Sequence, residues 1–150
     1  LVLGAGGAAR AVITGLLDRN APEVRVTNRT LERAQHLRDE FGNRVVVVPW
    51  SERNSAMAGA SFVVNTTSLG MINQLPLDVA LDELPGDSVV SDVVYMPQMT
   101  GLLSAAKARG NPIVGGLGML LHQARPSFRD WWGIMPDVTA ELRSRIEATL

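Results

Sequence analysis

The stretch Leu1-Val2-Leu3-Gly4-Ala5-Gly6-Gly7-Ala8-Ala9-Arg10 decides the fold of this chain. Three apolar residues run into closely spaced glycines and then into small residues that open an amphipathic segment, the order strand, tight turn, helix. Within it lies the pattern G-x-G-x-x-A, in the context that pattern requires. Gly4 permits the turn, Gly6 lets a backbone approach without a Cβ in the way, and Ala9 is small enough for helix to pack on strand. The free amides of such a helix start attract anions. Glycines alone also serve as a plain structural turn, but the correct distance to a second strand weighs against that reading.

Outward from this stretch, short β-branched runs alternate with longer amphipathic ones. Strands are predicted at 1–3, 23–27, 44–48, 61–65, 88–94 and 112–115, and most are near-continuous apolar runs, as strands buried on both faces should be. Helices are predicted at 8–19, 31–41, 51–58 and 100–109, with Gly42 and Gly110 placed to stop the second and fourth. The alternation defines an α/β chain with a Rossmann-like, doubly wound parallel sheet of about six strands. After Gly116 the alternation ends. Residues 118–132 and 137–149 read as two consecutive helices, the first carrying Pro126, which should kink or restart it. The division expected is therefore a dinucleotide-binding domain over 1–116 and a helical segment over 117–150. Because the chain opens inside a strand, without an initiator Met, further sequence is expected upstream.

The end of the second strand distinguishes the dinucleotides. An NAD site usually places Asp or Glu there to hold the ribose 2'-hydroxyl, roughly 20 residues past the glycines. Here the strand ends Thr27-Asn28-Arg29-Thr30. A carboxylate would repel a 2'-phosphate, whereas a guanidinium binds it through charge-assisted paired hydrogen bonds. The cofactor expected is NADP, with Arg29 on the 2'-phosphate and Arg33, one helical turn on, as a second contact. The bland reading makes Arg29 a solvated loop residue and Arg33 a helix-surface charge.

Composition narrows the rest. The 150 residues are 46% hydrophobic with a formal net charge of -1, enough for one packed core. No apolar run approaches the length of a membrane helix. Fourteen basic residues against fifteen acidic ones leave no excess positive charge for a phosphate backbone, so neither nucleic acid nor membrane is an expected partner. The chain has no cysteine, which removes disulfides and thiolate metal sites and fits a reducing cytoplasm. No metal site is expected.

Four segments, GAGGAAR at 4–10, NRTLER at 28–33, NTTSLGM at 65–71 and GLGMLLHQ at 116–123, together resemble the shikimate 5-dehydrogenase family over the whole chain. The first two are shared with glutamyl-tRNA reductases, so the last two separate the families. What the resemblance implies is NADPH-dependent reduction of 3-dehydroshikimate to shikimate, in the chorismate pathway to aromatic amino acids. Gly4, Ala5, Gly6, Gly7 and Ala8 would hold the pyrophosphate, and Asn28, Arg29, Thr30 and Arg33 the adenosine 2'-phosphate end. Hydroxyls and amides of Thr66, Thr67 and Ser68 would line the cofactor cleft, and Val93, Gly116 and Met119 would border the nicotinamide. Tyr95 and Gln123 would contact the small-molecule substrate.

Each assignment has a structural alternative. Tyr95 also reads as a rim aromatic, and Gln123 as a core amide on a buried helix face. Met119, Phe128, Trp131 and Trp132 lie at core-like spacing, while His36 and His122 read as helix-surface residues. The chain departs from the family at Gly115, where many members carry Asp. The family's catalytic Lys and Asp precede the glycine loop and so are expected upstream; Lys107, the sole lysine here, reads as a helix-surface charge. On this reading the chain alone binds NADP with little or no turnover, and its last two helices fold back on the missing domain, leaving an apolar face exposed. A homodimer is compatible with the resemblance. A quinate/shikimate dehydrogenase-like paralogue and a non-catalytic NADP-binding module stay open as alternatives.

Overall fold

The structure is a computed structural model that describes all 150 residues. Six parallel strands form one sheet: β1 (Val2–Leu3), β2 (Val24–Asn28), β3 (Val45–Pro49), β4 (Phe62–Asn65), β5 (Val89–Asp92) and β6 (Ile113–Val114), in the order β3-β2-β1-β4-β5-β6. Five helices accompany them: α1 (Gly7–Asp18), α2 (Leu31–Phe41), α3 (Gly101–Ala108), α4 (Leu117–Trp132) and α5 (Ala140–Glu147). No helix is long and apolar enough to cross a membrane.

The two-residue period of a strand divides the core in two. Val2 and Val64 point to the face where Ala9, Ile13 and Leu17 of α1 pack with Ala34 and Leu37 of α2. Leu1, Leu3 and Val63 point to the other face, against Leu102, Leu103 and Ala106 of α3. Helix α1 buries residues four apart in series, Ala9, Ile13 and Leu17. Gly42 adopts φ 82° just beyond α2 and ends it, as the sequence predicted. The turn at 110–112 is latched to that at 85–88 by Asn111, whose amide nitrogen donates to the carbonyls of Pro85, Gly86 and Ser88 at 2.9 to 3.1 Å.

Three sequence expectations change. Residues 51–58 are two single 3-10 turns, Trp50–Glu52 and Ser55–Met57, in place of one helix, since only Met57 of these six is buried and so no apolar stripe is available. Pro126 does not restart its helix; α4 runs unbroken from Leu117 to Trp132, because a proline removes only its own amide and the flanking turns keep theirs. The core-like spacing on α4 does not face a core. Met119, Phe128, Trp131 and Trp132 are 36%, 40%, 74% and 60% exposed, and Gln123 is exposed beside them. Leu117 is the only buried residue of α4 and α5 has none, so periodicity correctly marked an apolar face but not what it packs on within this chain.

One buried group stands unsatisfied. Thr27 lies wholly inside β2, paired with Leu3 and Val48, and its hydroxyl has no hydrogen-bond partner. Leaving such a group unpaired costs about 1 to 3 kcal/mol. Thr27→Val, which keeps the shape and removes the hydroxyl, is therefore expected to raise the thermal midpoint by a few degrees in a calorimetric scan; a lowered midpoint would mean that the hydroxyl finds a partner in solution.

Candidate functional site

The strand order reverses direction between β1 and β4, and there the loop after β1 turns away from the loop after β4. Open α/β sheets bind ligands at such a switch point, outside the carboxyl ends of the strands. In this chain it holds a cleft of about 210 Å³ that gathers Gly4, Ala5 and Gly6 from the first loop, Asn28 and Arg29 from the end of β2, Arg33 from α2, and Thr66, Thr67 and Ser68 from the β4 loop.

The glycines are needed here for two separate reasons. Gly4 has φ +111°, and a Cβ on it would come within 2.7 Å of the Thr66 hydroxyl oxygen. Its amide donates to the carbonyl of Thr27 at 2.8 Å, which fixes the turn against β2. Gly6 and Gly7, by contrast, have nothing within 4 Å of where a Cβ would stand. Gly6 is the N-cap of α1, and no side chain caps that helix. The first turn of α1 thus presents uncapped amides beside an open backbone, a place suited to a phosphate. Gly7 and Ala8 form the first helical turn beside the cleft without lining it.

The cleft also carries two basic side chains. Arg29 and Arg33 are exposed, neither is engaged in an ion pair, and no carboxylate lines the cleft. Asn28 donates from its side-chain nitrogen to the carbonyl of Thr30 at 2.9 Å, shaping the turn from which Arg29 projects. Thr30 is the N-cap of α2 and does not line the cleft. The donor set, open backbone amides together with two unpaired guanidiniums, fits a dinucleotide that carries a third phosphate.

The β4 loop lines the cleft, as expected, and its threonine hydroxyls also hold the loop to the chain. Thr66 donates to the carbonyl of Leu3 at 2.8 Å. Thr67 donates to Asn65 Oδ1 at 2.7 Å and accepts from the amide of Leu69 at 3.1 Å. Both threonines line the cleft with hydroxyls already engaged, and of the three only Ser68 has a hydroxyl with no partner in the chain. A Thr-Thr pair after a strand looks like ligand chemistry in sequence, but the nearest acceptors are the chain's own.

Beneath this loop lies a group that the sequence did not single out. Asp92, buried at the end of β5, accepts from Asn65 Nδ2 at 3.0 Å and from the Val94 amide at 3.0 Å through Oδ1, and from the Thr100 hydroxyl at 2.8 Å through Oδ2. Asn65 Nδ2 also donates to the Leu69 carbonyl at 3.1 Å, and Thr100 caps α3 by accepting from the Leu103 amide. One carboxylate thus ties together the β4 loop, the 93–95 segment and the start of α3. Burial pushes the Asp92 carboxyl above its ordinary value of 3.8, while the three donated hydrogen bonds oppose that rise.

The remaining expected contacts lie outside the cleft. Val93 and Tyr95 are half-buried on the segment after β5. Gly116, at the start of α4, approaches that segment so closely that a Cβ would stand 2.6 Å from the Val94 carbonyl oxygen. Met119 and Gln123 follow on the exposed part of α4, while His36, His122 and Lys107 are exposed on helices. No cluster of potential metal ligands exists.

Fold and cleft together define a Rossmann-type unit whose switch-point cleft is lined by the glycine loop and two arginines. Residues 1–72 match the family model described as shikimate / quinate 5-dehydrogenase. All 150 residues are 57% identical to the shikimate dehydrogenase (NADP(+)) of Rhodopseudomonas palustris strain TIE-1 and cover 54% of that protein. The corresponding enzyme of Dinoroseobacter shibae is 56% identical over 96% of this chain and 52% of its own length. The quinate dehydrogenase of Corynebacterium glutamicum in complex with NAD superimposes with a TM-score of 0.88 at 34% identity, over 98% of this chain and 54% of that one. The shikimate 5-dehydrogenase of Thermus thermophilus in complex with NADP(H) and shikimate gives 0.77 at 38% identity, over 91% and 49%. Along its whole length the chain is similar in sequence to these shikimate dehydrogenases. It spans about half the length of the curated relatives it matches.

The Asp92 network makes a pH-dependent prediction. A carboxyl raised by folding stabilises the protein below its unfolded value, and that contribution is lost as pH rises through the folded value. Asp92→Asn removes the titration while an amide can still accept from Asn65 and Val94. The thermal midpoint of the wild type minus that of Asp92→Asn should therefore fall as pH rises from 4 to 7; a difference that is flat or rises would contradict the assignment.

Proposed function

We propose that the chain binds NADP in the switch-point cleft and forms the cofactor-binding part of an enzyme that reduces 3-dehydroshikimate to shikimate. The observation that carries the cofactor is Arg29 and Arg33, unpaired, in a cleft without a carboxylate, at the strand end where an NAD site holds an acid. The substrate rests on the family to which the chain is homologous.

Bound there, the nicotinamide would supply a hydride. The chain's own part is to hold and to orient. The α1 amides and Gly6 receive the pyrophosphate, Asn28 to Arg33 the 2'-phosphate end, and the Ser68 hydroxyl offers one more donor on the cleft wall. Val93, Gly116 and Met119 would border the nicotinamide, and the Tyr95 hydroxyl and the Gln123 amide would reach the substrate. The tight seat of Gly116 against Val94 supports this arrangement, because it fixes where α4 leaves the sheet. The proton needs a positioned acid, which we place, as a Lys and Asp pair, in the part of the relatives' length that this chain does not span. The exposed face of Phe128, Trp131 and Trp132 on α4, and the hollow that Leu120, Leu121 and Phe128 form with Leu142 and Ile146 of α5, support a division in which 117–150 packs on that part.

The quinate dehydrogenase likeness keeps a second substrate in view. Offered shikimate or quinate with NADP or NAD, the complete enzyme should produce reduced cofactor fastest from shikimate with NADP. Preference for quinate would move it to the paralogous activity, and cofactor binding without turnover on either would leave a binding module. In the same assay Arg29→Ala should raise the KM and Kd for NADP about ten- to a hundredfold while leaving those for NAD nearly unchanged, the loss of roughly 1.5 to 3 kcal/mol expected for a hydrogen bond to a charged group. Equal losses for both cofactors would remove Arg29 from the 2'-phosphate.

A further inference from the structure

An aromatic residue stands in the cleft that the glycine loop and the two arginines leave unexplained. Trp50 lines it, half-buried, immediately after β3. Its place follows from register: Asn28 of β2 pairs with Pro49 of β3, so Trp50 leaves its strand beside the point where Arg29 leaves the neighbouring one. Adjacent strands lie about 4.8 Å apart. The indole and the Arg29 guanidinium therefore emerge side by side at the same end of the sheet.

The indole is also held. The Arg53 guanidinium carbon sits 5.0 Å from the centre of the Trp50 ring. That guanidinium is fixed in turn: it donates to the Trp50 carbonyl at 2.9 Å, to the Asp78 carbonyl at 2.8 Å and to the Asp78 carboxylate at 3.0 Å, and its side chain is 15% exposed. Trp50 lines the cleft and Arg53 does not. A tryptophan held by a fixed cation and lining a cleft is a preorganised stacking surface.

We infer that Trp50 is the platform on which the adenine of the dinucleotide stacks, with Arg53 as the residue that positions it. This rests on the proposal that the cleft binds NADP. In an adenosine 2'-phosphate the base and the phosphate are borne by neighbouring ribose carbons, so a phosphate at Arg29 leaves the base within reach of the adjacent strand end. Trp50 is the only aromatic lining the cleft.

The test uses adenosine 2',5'-bisphosphate, which carries the base and the 2'-phosphate but no nicotinamide, titrated calorimetrically into wild type, Trp50→Leu and Trp50→Phe. Base stacking on an aromatic supports an expected loss of about tenfold in affinity for Trp50→Leu, with Trp50→Phe recovering to within about threefold of wild type. Tryptophan emission gives a second readout that does not require Trp50→Leu to fold: saturating ligand should quench the wild type and leave Trp50→Phe almost unchanged. Binding of wild type with Trp50→Leu within twofold of it, or quenching that persists in Trp50→Phe, would overturn the stacking role while leaving the cofactor site in place. No binding of adenosine 2',5'-bisphosphate or NADP to wild type would overturn the cofactor site and this inference together.

Discussion

The approach of the Gly4 backbone to Thr66 is the contact on which the rest of the molecule depends. Strand β1 has two residues of ladder and pairs on both sides, with β2 and with β4. The chain must leave it sharply enough for α1 to start one residue past Gly6, yet without pushing β4 away. Only a residue with no Cβ and with access to φ near +111° meets both demands, because a side chain would strike the Thr66 hydroxyl. Thr66 answers by donating to the Leu3 carbonyl, so the same close approach that opens the cleft also closes the ladder beneath it.

From that point the site is assembled by strand ends. Each cleft residue stands at or just after the carboxyl end of a strand or in the first turn of the helix that follows, where backbone amides are not consumed by the sheet. Polar groups that look available are then sorted by what lies within reach. Thr66, Thr67 and Asn65 find partners in the chain and become scaffold, whereas Arg29, Arg33 and Ser68 do not and keep their side-chain donors free. The Asp92 carboxylate, buried at an energetic cost, recovers part of it by holding three segments at once.

Much of this was legible in the residues. All six strands lie where β-branched runs predicted them, although β3 and β6 at the sheet edges leave Val46 and Val114 exposed, and the glycine loop and Arg29 fall in one cleft as their spacing required. The failures have physical causes. The segment 51–58 had helix-compatible composition but no apolar stripe to bury, and short 3-10 turns satisfied its backbone instead. Gln123 was read onto a buried face because Met119 and Leu120 precede it, and periodicity cannot tell a face packed within the chain from one that is not. Trp50 and Asp92 gave no signal at all. The first needs the Asn28 to Pro49 register to place it beside Arg29, and the second needs β4 and β5 to be neighbours before Asn65 can reach it.

The switch point has a kinetic side as well. Pairing β1 with β4 joins residues about sixty apart in sequence, whereas every other pair in the sheet joins residues about twenty to thirty apart. The sheet is thus two locally connected halves, β1 to β3 and β4 to β6, meeting at one non-local seam, and loop closure makes that seam the slowest pairing to find. The switch-point cleft lies across it. A molecule held by the Gly4 loop on one side and the Ser68 loop on the other acts as a clasp between the halves, so occupancy would slow their separation more than it would slow fraying within either one.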